Sequence, residues 1–133
     1  MLEEIKKSFG GLFMPTNQYS ALSLAYLGDS IYEIYVRSFL LSESDSKVND
    51  LHKKATKFVC ASAQAEFYRR IEGMLTEEEI AVFHRGRNTK SHPPKNAQMS
   101  DYRTATGVET LLGYLYLQNR SERISELMQK LFT

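Results

Sequence analysis

Apolar residues recur at three- and four-residue spacing along nearly the whole chain, while alternating runs bounded by turn residues are scarce. The pattern predicts an all-α fold. A short first helix near residues 2–8 ends at Gly10 and Gly11, and Pro15, Thr16 and Asn17 supply the turn and cap for a long second helix over about 18–41. The polar run SESDS at 42–46 reads as a linker, after which a third helix over about 47–72 stops at Gly73. Thr76 with Glu79 forms a capping box for a fourth helix that fades near His84 to Arg87. Residues 88–98, with Pro93 and Pro94, lack helical pattern, and long unstructured connections in compact domains tend to be functional or disordered. Ser100 and Asp101 cap a fifth helix to about Gln118, and an amphipathic last helix covers 121–132.

The second helix, ALSLAYLGDSIYEIYVRSFLL, is apolar on almost every side, which marks a central core helix and makes its charged residues conspicuous. Ala25, Asp29, Glu33 and Arg37 fall on one stripe at four-residue spacing. Arg37 answers Glu33, whereas Asp29 has no basic residue one turn away. Gly28 beside it sacrifices about 1 kcal/mol of helix propensity, which suits close approach of another body: a helix, a metal or a phosphate. The fifth helix repeats the situation. In YRTATGVETLLGYLYL, Glu109 is surrounded at helical spacing by Ala105, Thr106 and Gly113, which are small and uncharged. Two lone acids beside small residues suit a hard divalent cation, since Mg²⁺ is commonly held by one or two carboxylates while keeping several waters. Such an ion activates water and offsets charge on a phosphodiester. The alternative is that both acids pair with arginines or amides elsewhere and only stabilise the core. Tyr26, Tyr32, Tyr35, Tyr114 and Tyr116 sit at helical spacing and read as packing residues rather than base-stacking platforms.

Length and composition narrow the class. A chain of 133 residues fits one domain, 1–133, and 42% apolar with 25% charged residues excludes global disorder. The formal charge of +1 argues neither for nor against nucleic acid, but its distribution does more. From His52 to Arg103 ten Lys/Arg face six Asp/Glu, and Arg85, Arg87, Lys90, Lys95 and Arg103 concentrate the excess where a polyanion would meet it. Lys53, Lys54 and Lys57 read as a solvated helix face. The single cysteine, Cys60, excludes an internal disulfide framework or a Cys-based zinc site, and its apolar neighbours suggest buried filler. Asp29, Glu33 and Arg37 interrupt the longest apolar region, so no membrane span is expected, and the acidic start MLEE is unlike a secretory signal. A cytoplasmic protein is the expectation. The absence of any Glu-x-x-His pair dismisses a di-iron bundle.

The segments YLGDSIYE at 26–33 and ETLLGYLYL at 109–117, in that order, are similar to the two signature helices of ribonuclease III catalytic domains. The likeness runs over roughly residues 18–132, and the chain resembles the bacterial form of that family reduced to its catalytic domain, with no separate RNA-binding domain. The resemblance implies a helical bundle of the ribonuclease III endonuclease type. It also implies a Mg²⁺-dependent endoribonuclease, with Mn²⁺ able to substitute, acting as a homodimer on double-stranded or structured RNA. Maturation of 23S ribosomal RNA precursor ends is the implied role. Carried over by position, Asp29 and Glu109 are the catalytic metal ligands. Where larger family members carry further acids, this chain has Ala25 and Thr106, and Gln64 or a neighbour stands where an acid of the third helix is expected; these departures imply a water-rich metal shell or weaker metal binding. Duplex RNA is read through shape, phosphates and 2′-hydroxyls, so Arg85, Arg87, Lys90, Lys95 and Arg103 are the candidate RNA contacts. A metal-activated water needs no histidine, so His52 and His84 are not expected in catalysis. Two competing readings remain: an inactive RNA-binding or ribosome-assembly module, and a helical interaction protein with a buried ion pair.

Overall fold

The computed structural model describes residues 2–11, 13–89, 92, 95 and 98–133. Among these residues seven α-helices carry the fold: α1 (Leu2–Lys7), α2 (Ala21–Glu43), α3 (Val48–Val59), α4 (Ala61–Ile71), α5 (Glu77–Arg87), α6 (Met99–Leu117) and α7 (Ser121–Met128). Short 3₁₀ turns at Thr16–Gln18, Glu72–Met74 and Gln129–Leu131 join or end them, and no strand occurs among the described residues. The all-α expectation holds. No helix among the described residues is long and apolar enough to cross a membrane.

The long helix α6 is the axis of the molecule. Eleven of its residues are buried, from Ala105 to Tyr116 with Glu109 as the only half-exposed position between them. Helices α2, α4, α5 and α7 pack around it, and Leu24, Ile31, Tyr32, Val36, Phe67, Phe83, Leu111, Leu115, Ile124 and Leu127 fill the core between them.

Helix ends follow local chemistry. Ser20 caps α2, its hydroxyl accepting from the Ser23 amide, so the helix starts three residues later than the pattern suggests and Thr16–Gln18 forms a separate turn. The capping box forms as expected: Thr76 accepts from the Glu79 amide, and the Glu79 carboxylate accepts from the Thr76 amide. Helix α6 ends where Asn119 takes a left-handed φ of 60° and the Arg120 amide donates to the Leu115 carbonyl. Buried Lys6 reaches over from α1 to donate to the Tyr116 carbonyl at 2.6 Å and to the Asn119 side chain, a cation set on a helix C-terminus.

One expected helix is two. The 47–72 segment breaks at Cys60, whose extended ψ of 157° ends α3 and starts α4. No glycine or proline marks the break; side chains from elsewhere hold it. Buried Tyr32 donates its hydroxyl to the Phe58 carbonyl at 2.6 Å, and Gln64 donates its amide to the Val59 carbonyl at 3.1 Å, satisfying carbonyls that a continuing helix would have paired. Cys60 is half-buried at this corner rather than enclosed.

Candidate active site

The crossing of α2 and α6 is made by glycines. A Cβ on Gly28 would stand 1.7 Å from the Glu109 carbonyl oxygen, and one on Gly113 would stand 2.0 Å from the Leu24 carbonyl oxygen, so each helix lies against the other's backbone. The body that Gly28 admits is therefore helix α6. Because Asp29 follows Gly28 and Glu109 is the residue Gly28 rests on, this contact brings the two lone carboxylates close enough for the charge of one to act on the other. Eighty residues of sequence separate them, and two glycines close the gap.

Among the described residues no Lys, Arg or His forms an ion pair with either acid. Burial pushes the Glu109 carboxyl up to about 8, the negative charge of Asp29 pushes it the same way, and a hydrogen bond from Gln64 only partly opposes them. Asp29 is exposed while Glu109 is half-buried, so the pair opens to solvent on the α2 side and is enclosed on the α6 side. On that inner side Gln64, 3% exposed, aims Nε2 at Glu109 Oε2 (3.3 Å) as well as at the Val59 carbonyl. Its Oε1 is buried and has no hydrogen-bond partner among the described residues.

No group of three His, Cys, Asp or Glu able to hold a metal occurs among the described residues. Ala25 is buried, and buried Thr106 gives its hydroxyl to the Tyr102 carbonyl at 3.1 Å, so neither adds charge to the pair. The donor set is two carboxylates, one half-buried and held off its usual ionisation by the other, beside an orphaned amide oxygen. That donor set fits a hard divalent cation that keeps most of its waters, which Asp29 and Glu109 would hold and whose charge would offset their repulsion.

The basic residues are less concentrated than the site. Arg85 and Arg87 lie in the last turn of α5, and Arg85 donates through Nη2 to the Tyr19 carbonyl at 2.9 Å, tying that turn to the entrance of α2. Arg87 is half-buried, whereas Lys95 and Arg103 are exposed; Lys90 lies outside the described residues. Glu33 and Arg37 form the expected exposed pair at 3.0 Å. His52 and His84 are exposed. Tyr32, Tyr114 and Tyr116 pack in the core as expected, whereas Tyr26 is 85% exposed one turn before Asp29. The family resemblance pointed to Gln64 or a neighbour, but not to its bonds, which depend on the break at Cys60.

Two glycine-crossed helices thus present two neighbouring acids, and similarity to known proteins gives the class. Residues 22–120 match the Ribonuclease III domain. The chain is 54% identical over 114 residues to mini-ribonuclease 3 of Clostridium tetani, covering 84% of this chain and 76% of that one. With mini-ribonuclease 3 of Enterococcus faecalis the identity is 50% over 114 residues, covering 84% and 86%. A Fusobacterium nucleatum protein of known crystal structure superposes with a TM-score of 0.77 at 31% identity, covering 84% of this chain and 90% of that one. The chain belongs to the ribonuclease III family and is an endoribonuclease. Within that family it is similar to the mini-ribonuclease 3 proteins over most of its length.

Proposed function

We propose that this endoribonuclease cuts double-stranded or structured RNA with Asp29 and Glu109 as its catalytic metal ligands, using Mg²⁺ or, in its place, Mn²⁺. The observation that carries the reading is the convergence of two carboxylates that no basic side chain pairs among the described residues, one of them pushed up to about 8 by burial and by the other. A bound Mg²⁺ would supply an activated water and neutralise charge developing on the phosphodiester. Asp29, on the exposed side, meets the RNA backbone first; Glu109 holds the inner side; and the glycine crossing fixes their separation, so the residues themselves spend little reorganisation during the reaction.

The enzyme acts as a homodimer in the cytoplasm and matures the ends of 23S ribosomal RNA precursor. Leu22 and Tyr26 are exposed on the same stripe of α2 as Asp29, which supports burial of this side of α2 against a second copy. Two such sites side by side suit the two strands of a duplex. Arg85, Arg87, Lys90, Lys95 and Arg103 are the proposed phosphate contacts, each charge-neutralising Lys or Arg lowering the salt slope of binding by about 1 when removed.

The test is cleavage of a long labelled duplex RNA with Mg²⁺, with EDTA and with Asp29→Asn, beside a binding assay. Cutting that needs Mg²⁺ and disappears in Asp29→Asn, with binding retained, is the expected result. Unchanged cutting by Asp29→Asn overturns the site assignment, and binding without any cutting by the unsubstituted chain makes the protein an RNA-binding assembly module.

A further inference from the structure

Among the described residues, Gln64 is a neutral polar side chain that reaches the acid pair from the buried side. Its nitrogen is committed twice, to the Val59 carbonyl at 3.1 Å and to Glu109 Oε2 at 3.3 Å. These two acceptors determine which way the amide faces, because turning it over would set its oxygen against two oxygens. The carbonyl oxygen is thereby left buried and without a donor. A buried acceptor left unsatisfied costs about 1–3 kcal/mol, and proteins keep such groups chiefly where water, an ion or catalysis uses them. Leucine or methionine would fill the same space without that cost. Neither would hold Glu109, and neither would bond the last turn of α3.

We propose that Gln64 is a positioning residue of the site: its Nε2 holds the Glu109 carboxylate to the α3–α4 corner, and its Oε1 accepts a hydrogen bond from a water that hydrates the bound metal. The inference rests on the nuclease reading above and adds a residue to it. An amide is suited to this place for an electrostatic reason. Asp29 and Glu109 already repel each other, and a third carboxylate at the buried corner would add a charge that only a bound cation offsets. An amide gives the water an acceptor, gives Glu109 a donor and adds no charge. The chain thus stays folded without metal and still directs the water when metal arrives. Loss of such supporting contacts in metal sites weakens metal affinity or activity by about 10- to 100-fold.

Three variants separate this role from plain packing: Gln64→Leu, Gln64→Glu and Asp29→Asn. Divalent affinity is read by Mn²⁺ titration of the RNA-free protein, thermal stability is read in EDTA, and kcat and KM are read on duplex RNA. Gln64→Leu is expected to fold, to bind Mn²⁺ about 10- to 100-fold more weakly and to lose kcat by a similar factor, with KM for RNA within about twofold. Gln64→Glu is expected to be less stable than the parent in EDTA yet to bind Mn²⁺ at least as tightly, because its carboxylate keeps the acceptor and adds charge. A Gln64 that only packs would give two variants with parental Mn²⁺ affinity and parental kcat, and that result overturns the proposal. If Asp29→Asn is inactive while Gln64→Leu behaves as the parent, the proposal for Gln64 fails alone; if Asp29→Asn cuts RNA normally, the nuclease site itself is misplaced.

Discussion

Glu79 and Glu109 are both glutamates folded into the packing of helices around α6, and their surroundings drive them in opposite directions. Glu79 is fully buried, which alone would push its carboxyl up, yet hydrogen bonds from Arg123 and the Thr76 amide and the Arg123 charge hold it below the usual carboxylate range. Both its oxygens are used: Oε1 accepts from Arg123 Nη2 at 2.8 Å and from the Thr76 amide at 2.9 Å, and Oε2 accepts from Arg123 Nε at 2.9 Å. Arg123 also donates to the Met74 carbonyl at 2.6 Å, so one side chain ties α7 to the start of α5. Glu109 is less buried, has an acid for a neighbour and receives a single amide hydrogen bond. The first glutamate is satisfied and serves the fold. The second is left in conflict by the fold, and that conflict is what a cation bound between the two acids would relieve.

The comparison is broken most severely on its structural side. Arg123→Met leaves a buried carboxylate unpaired and is expected to cost about 3–5 kcal/mol in chemical denaturation, while cleavage per folded molecule stays near the parental value. A next and smaller loss is expected from Gly28→Ala, about 1–3 kcal/mol, because the new methyl group drives α2 off the Glu109 carbonyl; here cleavage falls as well, since the carboxylates separate.

The third expectation concerns pH. Glu109 has a folded pKa of about 8 against an ordinary 4.5, so the folded chain holds a proton there that the unfolded chain has lost. Metal-free stability therefore declines as pH rises from about 4.5 to about 8, and is restored by Mg²⁺. Thermal unfolding in EDTA and in Mg²⁺ across that window checks the sign. The smallest effect belongs to Glu33, an exposed acid one turn beyond Asp29 that Arg37 already answers. Glu33→Gln is expected to change stability by no more than about 0.5 kcal/mol, by urea denaturation, and to leave cleavage intact.

Local signals were legible in the sequence. The Thr76–Glu79 capping box, the Glu33–Arg37 pair and the apolar periodicity of α2 and α6 depend on residues within a turn or two of each other, and each appears in the structure as spacing suggests. Asp29 and Glu109 were legible as acids lacking a local partner; that they meet depends on the register of two helices, which the glycines permit but spacing does not encode. The break at Cys60 was invisible because no glycine or proline causes it; Tyr32 from α2 and Gln64 from α4 stabilise it. Glu79 showed only its capping role, since Arg123 lies 44 residues away. Lys6 gave no sign of its place on the end of α6, a contact across 110 residues. The hydrogen bond from Arg85 to the Tyr19 carbonyl, 66 residues away, was likewise not legible.

The most direct measurement is thermal unfolding of Glu109→Gln against the parent in EDTA at pH 8. Replacing a carboxylate in conflict with its surroundings by a neutral isostere is expected to raise Tm by at least about 4 °C, roughly 1 kcal/mol for a domain of this size, while cleavage is lost. A fall in Tm comparable to that of Arg123→Met would show that Glu109 is as well satisfied as Glu79, and would contradict the account.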